Sequence, residues 1–227
     1  MWSEPPTSPS LQSGEAHVWR TSLEQPQERV DEFLRTLDDD ERARASRFHF
    51  EKHRRNFVVG RGVLRLLLAR YLGTRAQDVR FEYGAHGKPV LAGEHRAESL
   101  RFNASHSGEM ALYAFVRDRE VGVDVEVIKG DFATEEIAER FFSAPEIKLL
   151  SALPVTEKPV GFFRCWTRKE AYIKAIGSGL SHPLDQFDVT VEIPGWSILD
   201  LDVEAGYAAA LAVDGLIHEL HRFHFNP

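Results

Sequence analysis

The chain has 227 residues, of which 43% are hydrophobic and 28% charged, and its formal net charge is −7. This composition predicts one or two globular domains with packed interiors, and it excludes fibrous, disulfide-rich and membrane-spanning classes. The acidic balance argues against non-specific nucleic-acid binding. The only cysteine, Cys165, allows no internal disulfide and suits a reducing cytoplasm.

Residues 1–15 are polar and rich in Pro and Ser, so we expect a mobile tail there rather than a targeting leader. The most apolar stretch, 63–72, contains two arginines and is too short to cross a bilayer. We therefore expect a cytoplasmic protein with no membrane segment.

Elements of the amino-terminal half follow from hydrophobic periodicity and turn residues. In chain order they are a strand at 15–24, helices at 26–37, 38–48 and 53–72, and strands at 79–83, 100–103, 110–116 and 121–128. The aspartates at 38–40 supply an N-cap, and Gly73 ends the long helix. Residues 41–75 hold ten Lys or Arg against two acids. That region can face an anion, although a solvated helix face explains any single arginine equally well.

The carboxy-terminal half repeats this order. It is predicted to contain a helix at 160–176, ended by Gly177, and strands at 187–193, 198–203, 206–213 and 217–223. Segment 108–116 resembles segment 206–213, 98 residues later, and Gly73 and Gly177 are 104 residues apart. We predict an α+β fold of two similar pseudo-symmetric halves, 16–118 and 119–227. Each half would pack a small antiparallel sheet against a long helix, with a ligand site in the cleft between them.

Two carboxylates, Asp124 and Glu126, are separated by one residue in a strand whose other face is valine. Residues two apart on a strand share a face, so these acids project together. Oxygen ligands of this kind suit Mg²⁺, with Mn²⁺ as an alternative, and Mg²⁺ completes its shell with water and substrate phosphate. Taken alone, the pattern fits a solvated acidic edge strand better.

The helix at 160–176 carries Trp166, Glu170 and Lys174 at i, i+4 and i+8, along one ridge. An exposed Glu–Lys pair is the simple interpretation. Large apolar residues at 162, 163 and 173 indicate a packed helix instead, where an acid and a base need partners. A third carboxylate for the metal and a phosphate for Lys174 would be such partners.

A third segment, 102–108, places Asn103, Ser105 and His106 where an apolar strand turns polar. With loop N–H groups they could form a cup for phosphate oxygens, although a histidine in a turn is more often structural. Lys88 stands on a tight turn at 87–89. The sequence has no nucleotide-binding glycine loop, no serine-hydrolase motif, and no cysteine or histidine cluster that suggests zinc.

Together these segments resemble the 4′-phosphopantetheinyl transferases of the surfactin-synthetase-activating (Sfp) type. The similar segments are V-G-V-D-V-E at 121–126, W-T-R-K-E-A-Y-I-K at 166–174, F-N-A-S-H-S-G at 102–108 and G-K-P at 87–89. They occur in that family's order and spacing. The resemblance implies a monomeric enzyme that transfers the phosphopantetheine arm of coenzyme A to a serine of an apo acyl or peptidyl carrier protein, releasing 3′,5′-ADP.

The resemblance also implies roles for residues. Asp124, Glu126 and Glu170 would hold Mg²⁺, and Lys174 would contact the phosphates and stabilise the leaving group. Glu170 is the first choice for the base that takes the serine proton, and Glu146 the second. The other implied coenzyme contacts are Asn103, Ser105, His106, Lys88 at the nucleotide end, Lys169 at the rim, and Arg44 or Arg55 at the 3′-phosphate.

Two other functions use the same residues. A Mg²⁺-dependent phosphohydrolase would attack a coenzyme A-like diphosphate with water, and a non-catalytic module would bind coenzyme A without turnover. If a carrier is the partner, we expect it to be acidic and to dock on a local apolar and basic patch around Phe141 and Phe142.

Overall fold

The computed structural model describes residues 1–6, 8–84, 87–130, 134–177, 179 and 182–226. Its elements, in chain order, are β1 Glu15–Ser22, α1 Gln27–Thr36, α2 Asp39–Ser46, α3 Glu51–Leu72, β2 Phe81–Tyr83, β3 Pro89–Leu91, β4 Leu100–Ser107, β5 Met110–Arg117, β6 Val121–Val127, α4 Thr134–Phe141, α5 Ala144–Ala152, α6 Lys158–Ile176, β7 Trp196–Asp200, β8 Tyr207–Asp214 and β9 Glu219–His224. The predicted α+β class is confirmed.

Two larger sheets organise the fold. The first has the strand order β4-β5-β1-β9, and the second the order β6-β8-β7. All pairs are antiparallel except β1 and β9, which are parallel. The first sheet is therefore mixed rather than antiparallel as expected, and the last strand joins the first sheet instead of completing the second half.

The helix α3 covers the first sheet because its apolar residues recur at helical spacing. Val58, Val63 and Leu67 are fully buried in the same core as Trp19 and Phe115. The helix ends, as predicted, at a glycine in the left-handed conformation (Gly73, φ 66°).

The N-terminus of α2 begins at the aspartate run, as the sequence indicates. Asp38 accepts a hydrogen bond from the Glu41 N–H, and the Glu41 side chain accepts from the Asp38 N–H, forming a capping box. Both acids also bind the guanidinium of Arg65, which is completely buried in α3. These contacts fix the basic segment between α2 and α3 against the body of the protein.

The helix α6 lies unusually close to the second sheet. Ala171 and Ala175 pack against Ala210 and Ala212 of β8, and Gly122 of β6 faces the helix backbone. A Cβ atom at Gly122 would lie 2.5 Å from the Ala175 nitrogen and closer still to the Ala171 carbonyl oxygen. Small residues on both sides thus bring β6 and its acids next to α6.

Two predicted elements differ from the structure: residues 187–193 form irregular backbone, not a strand, and β4 continues through Ser107 instead of ending at Asn103. The strand β3 and the helices α4 and α5 were not predicted. Phe142 is 2% exposed and stacks on Phe162, so it belongs to the core and not to a docking patch.

Residues of the expected amino-terminal tail contact the body of the protein. The Trp2 indole donates to the Asp202 carbonyl oxygen, Ser3 pairs with Phe223, and Leu11 is buried. Among the described helices, none has the length and apolar composition that spanning a bilayer requires.

Candidate active site

The two sheets meet where β4 runs beside β6, and side chains join the two strands. Asn103 Oδ1 accepts from the Val123 N–H at 3.0 Å, and Ser107 Oγ accepts from the Val127 N–H at 3.1 Å. Asn103, Ser105 and Ser107 alternate along β4, so all three point toward β6. The expected phosphate cup is thus a strand edge whose polar side chains hold the neighbouring strand.

Asp124 lies at the centre of this seam and is 2% exposed. Its Oδ1 atom receives the Lys174 ammonium at 2.5 Å and the Ser105 hydroxyl at 2.8 Å, and Lys174 Nζ also lies 3.0 Å from Ser105 Oγ. Its other oxygen, Oδ2, is buried and has no hydrogen-bond partner within the described chain. A buried carboxylate oxygen without a donor is costly, so the site favours a further positive ligand there.

Glu126 and Glu170 share the electrostatic field of Asp124. Burial raises the pKa of Glu126, a hydrogen bond from Ser107 lowers it, and Asp124 raises it further. Burial also raises the pKa of Glu170 to about 6; Lys174 opposes this shift, while the charges of Asp124 and Glu126 add to it. Glu126 and Glu170 thus resist ionisation because the three acids are close together and the surroundings are poor in water.

This donor set fits a divalent cation. It offers three carboxylates, one of which has a buried oxygen without a hydrogen-bond partner among the described residues. A hard cation would bind that oxygen, offset the repulsion between the acids and lower the raised pKa values of Glu126 and Glu170. The three acids are neighbours rather than a closed ligand set, because their oxygens do not all lie within 4.8 Å of one another among the described residues.

A cavity of about 210 Å³ opens beside the seam, between α3 and β4. Four residues expected to bind the coenzyme line it: Arg44, Asn103, Ser105 and His106. Two further polar residues of α3, Asn56 and Arg61, also line it. The Arg61 Nη1 atom is buried and has no hydrogen-bond partner among the described residues. Partial desolvation and the Lys174 charge lower the pKa of His106, which favours its neutral form.

Two other expected coenzyme contacts, Lys88 and Arg55, lie outside this cavity. Lys88 Nζ donates to the carbonyl oxygens of Val121 and Ala175, and it contacts Glu120 Oε2 at 3.2 Å. Arg55 donates to the Gln25 carbonyl oxygen and to the Gln27 side chain, so it ties α3 to the start of α1. Lys88 therefore holds its turn against the end of α6, and Arg55 stabilises the contact between α3 and the start of α1.

Glu146 and Lys169 do not reach the site, which corrects their expected roles as second base and rim contact. Their side chains are 0% exposed and form an ion pair at 2.8 Å. Glu146 also accepts from the N–H groups of Ser143 and Val189. Lys169 donates to the carbonyl oxygens of Leu184 and Phe187. Every polar atom of the pair is thus used inside the protein.

Sequence reasoning could have found one of the missed residues. Asn103, Ser105 and Ser107 occupy every second position, so the sequence could have predicted that Ser107 shares the face of the other two. In the structure Ser107 donates to Glu126. Arg61 and Asn56 carried no separate signal, because they stand among many other basic and polar residues of α3.

Known proteins that resemble this chain identify its family. The profile described as "4′-phosphopantetheinyl transferase superfamily" matches residues 120–209, and the profile "4′-phosphopantetheinyl transferase, N-terminal" matches residues 19–117. The 4′-phosphopantetheinyl transferase HetI of Nostoc sp. is 40% identical over 94% of this chain and 94% of its own length. The chain belongs to the 4′-phosphopantetheinyl transferase family. The resemblance stated from four short motifs is confirmed.

Further members of the transferase family align over most of their length. The 4′-phosphopantetheinyl transferase psf-1 of Bacillus pumilus is 37% identical over 71% of this chain and 67% of its own. The 4′-phosphopantetheinyl transferase Sfp of Bacillus subtilis is 32% identical over 77% of this chain and 75% of its own. The two family profiles meet between residues 117 and 120, at the turn that joins β5 of the first sheet to β6 of the second.

Proposed function

We propose that this chain transfers the 4′-phosphopantetheine arm of coenzyme A to a serine hydroxyl of an apo carrier protein and releases 3′,5′-ADP. The observation that carries the proposal is the contact of Lys174, Asp124 and Ser105, with Glu126 and Glu170 beside it, in a chain of this family. The group joins β4, β6 and α6, the elements that hold three of the four motifs of the resemblance.

The cavity beside this group suits the phosphate-bearing end of coenzyme A. Arg44 is exposed at its mouth, with its guanidinium over the Phe57 ring, and Arg61 presents a buried N–H group without a partner. Arginine binds phosphate oxygens through several N–H groups at once. We assign the 3′-phosphate to these two arginines rather than to Arg55, whose guanidinium binds Gln27 and the Gln25 carbonyl oxygen.

The reacting diphosphate would lie against the acids. Asp124, Glu126 and Glu170 would hold Mg²⁺, or Mn²⁺, which neutralises phosphate charge and aligns the reacting groups when bound. Lys174 already lies on Asp124, so its ammonium would be shared between that carboxylate and the phosphates, where it stabilises charge on the leaving group.

Glu170 is the carboxylate best suited to take the proton of the attacking serine. Without a bound metal its pKa is raised to about 6, which makes it more basic than an ordinary carboxylate while it is still ionised at neutral pH. The serine oxygen then forms the new bond to phosphorus as the bond to 3′,5′-ADP breaks. We do not propose Glu146 for this role, because its buried ion pair with Lys169 occupies its carboxylate.

Some finer features also belong to this proposal. We propose that 16–118 and 119–227 are related halves, supported by β5 and β8 at corresponding positions and by α3 and α6, which both end at left-handed glycines. The chain would act as a monomer in the cytoplasm, where a single unpaired Cys165 is compatible with a reducing environment.

The decisive experiment incubates the protein with coenzyme A, Mg²⁺ and a panel of apo carrier proteins, and measures intact mass. The expected product is a carrier with one phosphopantetheine on serine. Asp124→Ala should abolish it, and Glu170→Gln should lower kcat by about 10²–10⁴-fold. Glu139→Gln, an exposed acid on α4, is the matched control and should retain full activity.

The alternatives give different outcomes in the same assay. Release of phosphopantetheine from coenzyme A without a carrier would establish a phosphohydrolase. Coenzyme A binding that survives Glu170→Gln, with no product from the unaltered chain on any carrier, would leave a binding module. Either result would overturn the proposed transfer.

A further inference from the structure

Two short sequences of the form Glu-x-His lie side by side in the first sheet. Glu15 and His17 belong to β1, and Glu219 and His221 belong to β9. The strands are parallel and in register, with Glu15 opposite Glu219 and His17 opposite His221. Because alternate residues of a strand share a face, all four side chains project from the same face of the sheet.

Three of these side chains converge. One ligand atom from each of Glu15, His17 and His221 lies within 4.8 Å of the others. His17 Nε2 lies 3.6 Å from Glu15 Oε2, and the two imidazole rings are 5.0 Å apart at 80°. Ligands about 2.0–2.1 Å from a tetrahedral zinc ion are separated by about 3.3–3.4 Å, so only a small closure is needed.

His17 is prepared for metal binding by its surroundings. Its side chain is only 3% exposed and lies in the face of the sheet that the four side chains share. Its Nδ1 atom lies 2.7 Å from the Tyr71 hydroxyl, which leaves Nε2 facing the cluster.

Tyr71 fits the role of a supporting partner. Its oxygen accepts the Trp19 indole N–H at 2.8 Å, and a second lone pair is available for the His17 Nδ1–H. Metal-bound histidines usually donate their other N–H in this way, which fixes the tautomer and the ring orientation.

We propose that Glu15, His17 and His221 form a binding site for a divalent transition metal, with Zn²⁺ as the best match. Two imidazoles and one carboxylate are a common zinc ligand set, and a water or Glu219 would complete it. Imidazole favours Zn²⁺ over Mg²⁺, so this site differs in ion and in place from the acids of β6 and α6. The bound ion would join β9 to β1.

The sequence did not predict this site because its histidines are 204 positions apart. The histidines form a cluster only after β9 pairs with β1, and their shared Glu-x-His pattern has no meaning until the register is known.

The test titrates metal-stripped protein with Zn²⁺ and follows calorimetry and melting temperature. We expect one equivalent to bind, and at 100-fold excess over Kd the Tm should rise by about 5–10 °C. Mg²⁺ should give no comparable shift through this site. Co²⁺ should produce the visible absorption of a low-symmetry site with nitrogen and oxygen ligands.

Variants then locate the ion. His221→Asn and Glu15→Gln should weaken Zn²⁺ binding by about tenfold or more, whereas His49→Asn, at an exposed histidine of the segment between α2 and α3, should leave it unchanged. His221 is half-buried at an edge strand, so the folded state should survive, which circular dichroism checks. No stoichiometric binding, or equal binding by His221→Asn and the unaltered chain, would overturn the proposal.

Discussion

The buried pair of Glu146 and Lys169 gives a test that separates a structural acid from a catalytic one. The substitution Glu146→Gln keeps the side-chain shape and removes the charge. It leaves the fully buried Lys169 ammonium without its counter-ion, with the carbonyl oxygens of Leu184 and Phe187 and the face of the Phe187 ring as neutral partners.

The expected loss of stability is large. Removing one partner of a buried ion pair costs about 3–5 kcal/mol, because the remaining charge stays out of water. A chain of this size loses about 2–4 °C in Tm for each kcal/mol, so the melting temperature should fall by about 6–20 °C. The matched control is Glu135→Gln, whose pair with Lys158 is largely exposed on the acid side and should contribute little to stability.

The assay is urea unfolding with a kinetic measurement on the fraction that stays folded. We expect the midpoint to fall sharply for Glu146→Gln, with an unchanged m-value and a kcat close to that of the unaltered chain at low temperature. A variant that is as stable as Glu135→Gln but loses 10²-fold or more in kcat would refute the reasoning and restore Glu146 as a catalytic base.

Three other predictions follow from the structure. Gly122→Ala should separate β6 from α6 and remove both stability and activity. Gly130→Ala should be neutral, because a Cβ there meets no atom of the described chain within 4 Å. Thermal melts and the mass assay compare the two variants. Because the pKa of Glu170 is raised to about 6, its carboxylate takes up a proton as the pH falls through that value, so Mg²⁺ affinity should drop below pH 6 in a titration, and Glu170→Gln should lack that step. Burial raises the pKa of the Cys165 thiol, so Ellman's reagent should react slowly with the folded chain and fully with the unfolded one; rapid labelling without unfolding would contradict this.

Local signals predicted the parts of the fold that local forces determine. The helix α3 ends at Gly73, where a left-handed residue is needed, and the capping box of α2 begins at Asp38 in the predicted aspartate run. The acids of β6 and the ridge of α6 were also placed on the correct elements. In each case the residue type and its spacing were enough.

Parts that depend on distant contacts were not predicted. The apolar stretch 187–193 has the composition of a strand, but its backbone is bound to side chains from elsewhere: Lys169 holds the Phe187 carbonyl oxygen, and Glu146 holds the Val189 N–H. The helix α5 was missed although the sequence has Ser143 and Glu146 at capping-box spacing with a proline between them, and Glu146 accepts from the Ser143 N–H. That signal was present, and Glu146 was interpreted as a catalytic acid instead.

For the site, too, local patterns were predicted and contacts between distant segments were not. Asp124 was expected to bind Mg²⁺ and Lys174 to bind the phosphates. The structure places the two side chains in direct contact, because a buried carboxylate needs a nearby cation. Lys169 stands one position before Glu170 and yet points into the interior, because adjacent residues on a helix lie about 100° apart.

The parallel pairing of β1 with β9 affects how the protein is made. Some 200 residues separate the two partners, so the first sheet cannot be completed on the ribosome until almost the whole described chain has been synthesised. Until then β1 presents an open edge on which another chain could pair. A fragment that stops after β5 would keep that edge exposed permanently, and aggregation of such a fragment would reveal how much the last strand protects the nascent chain.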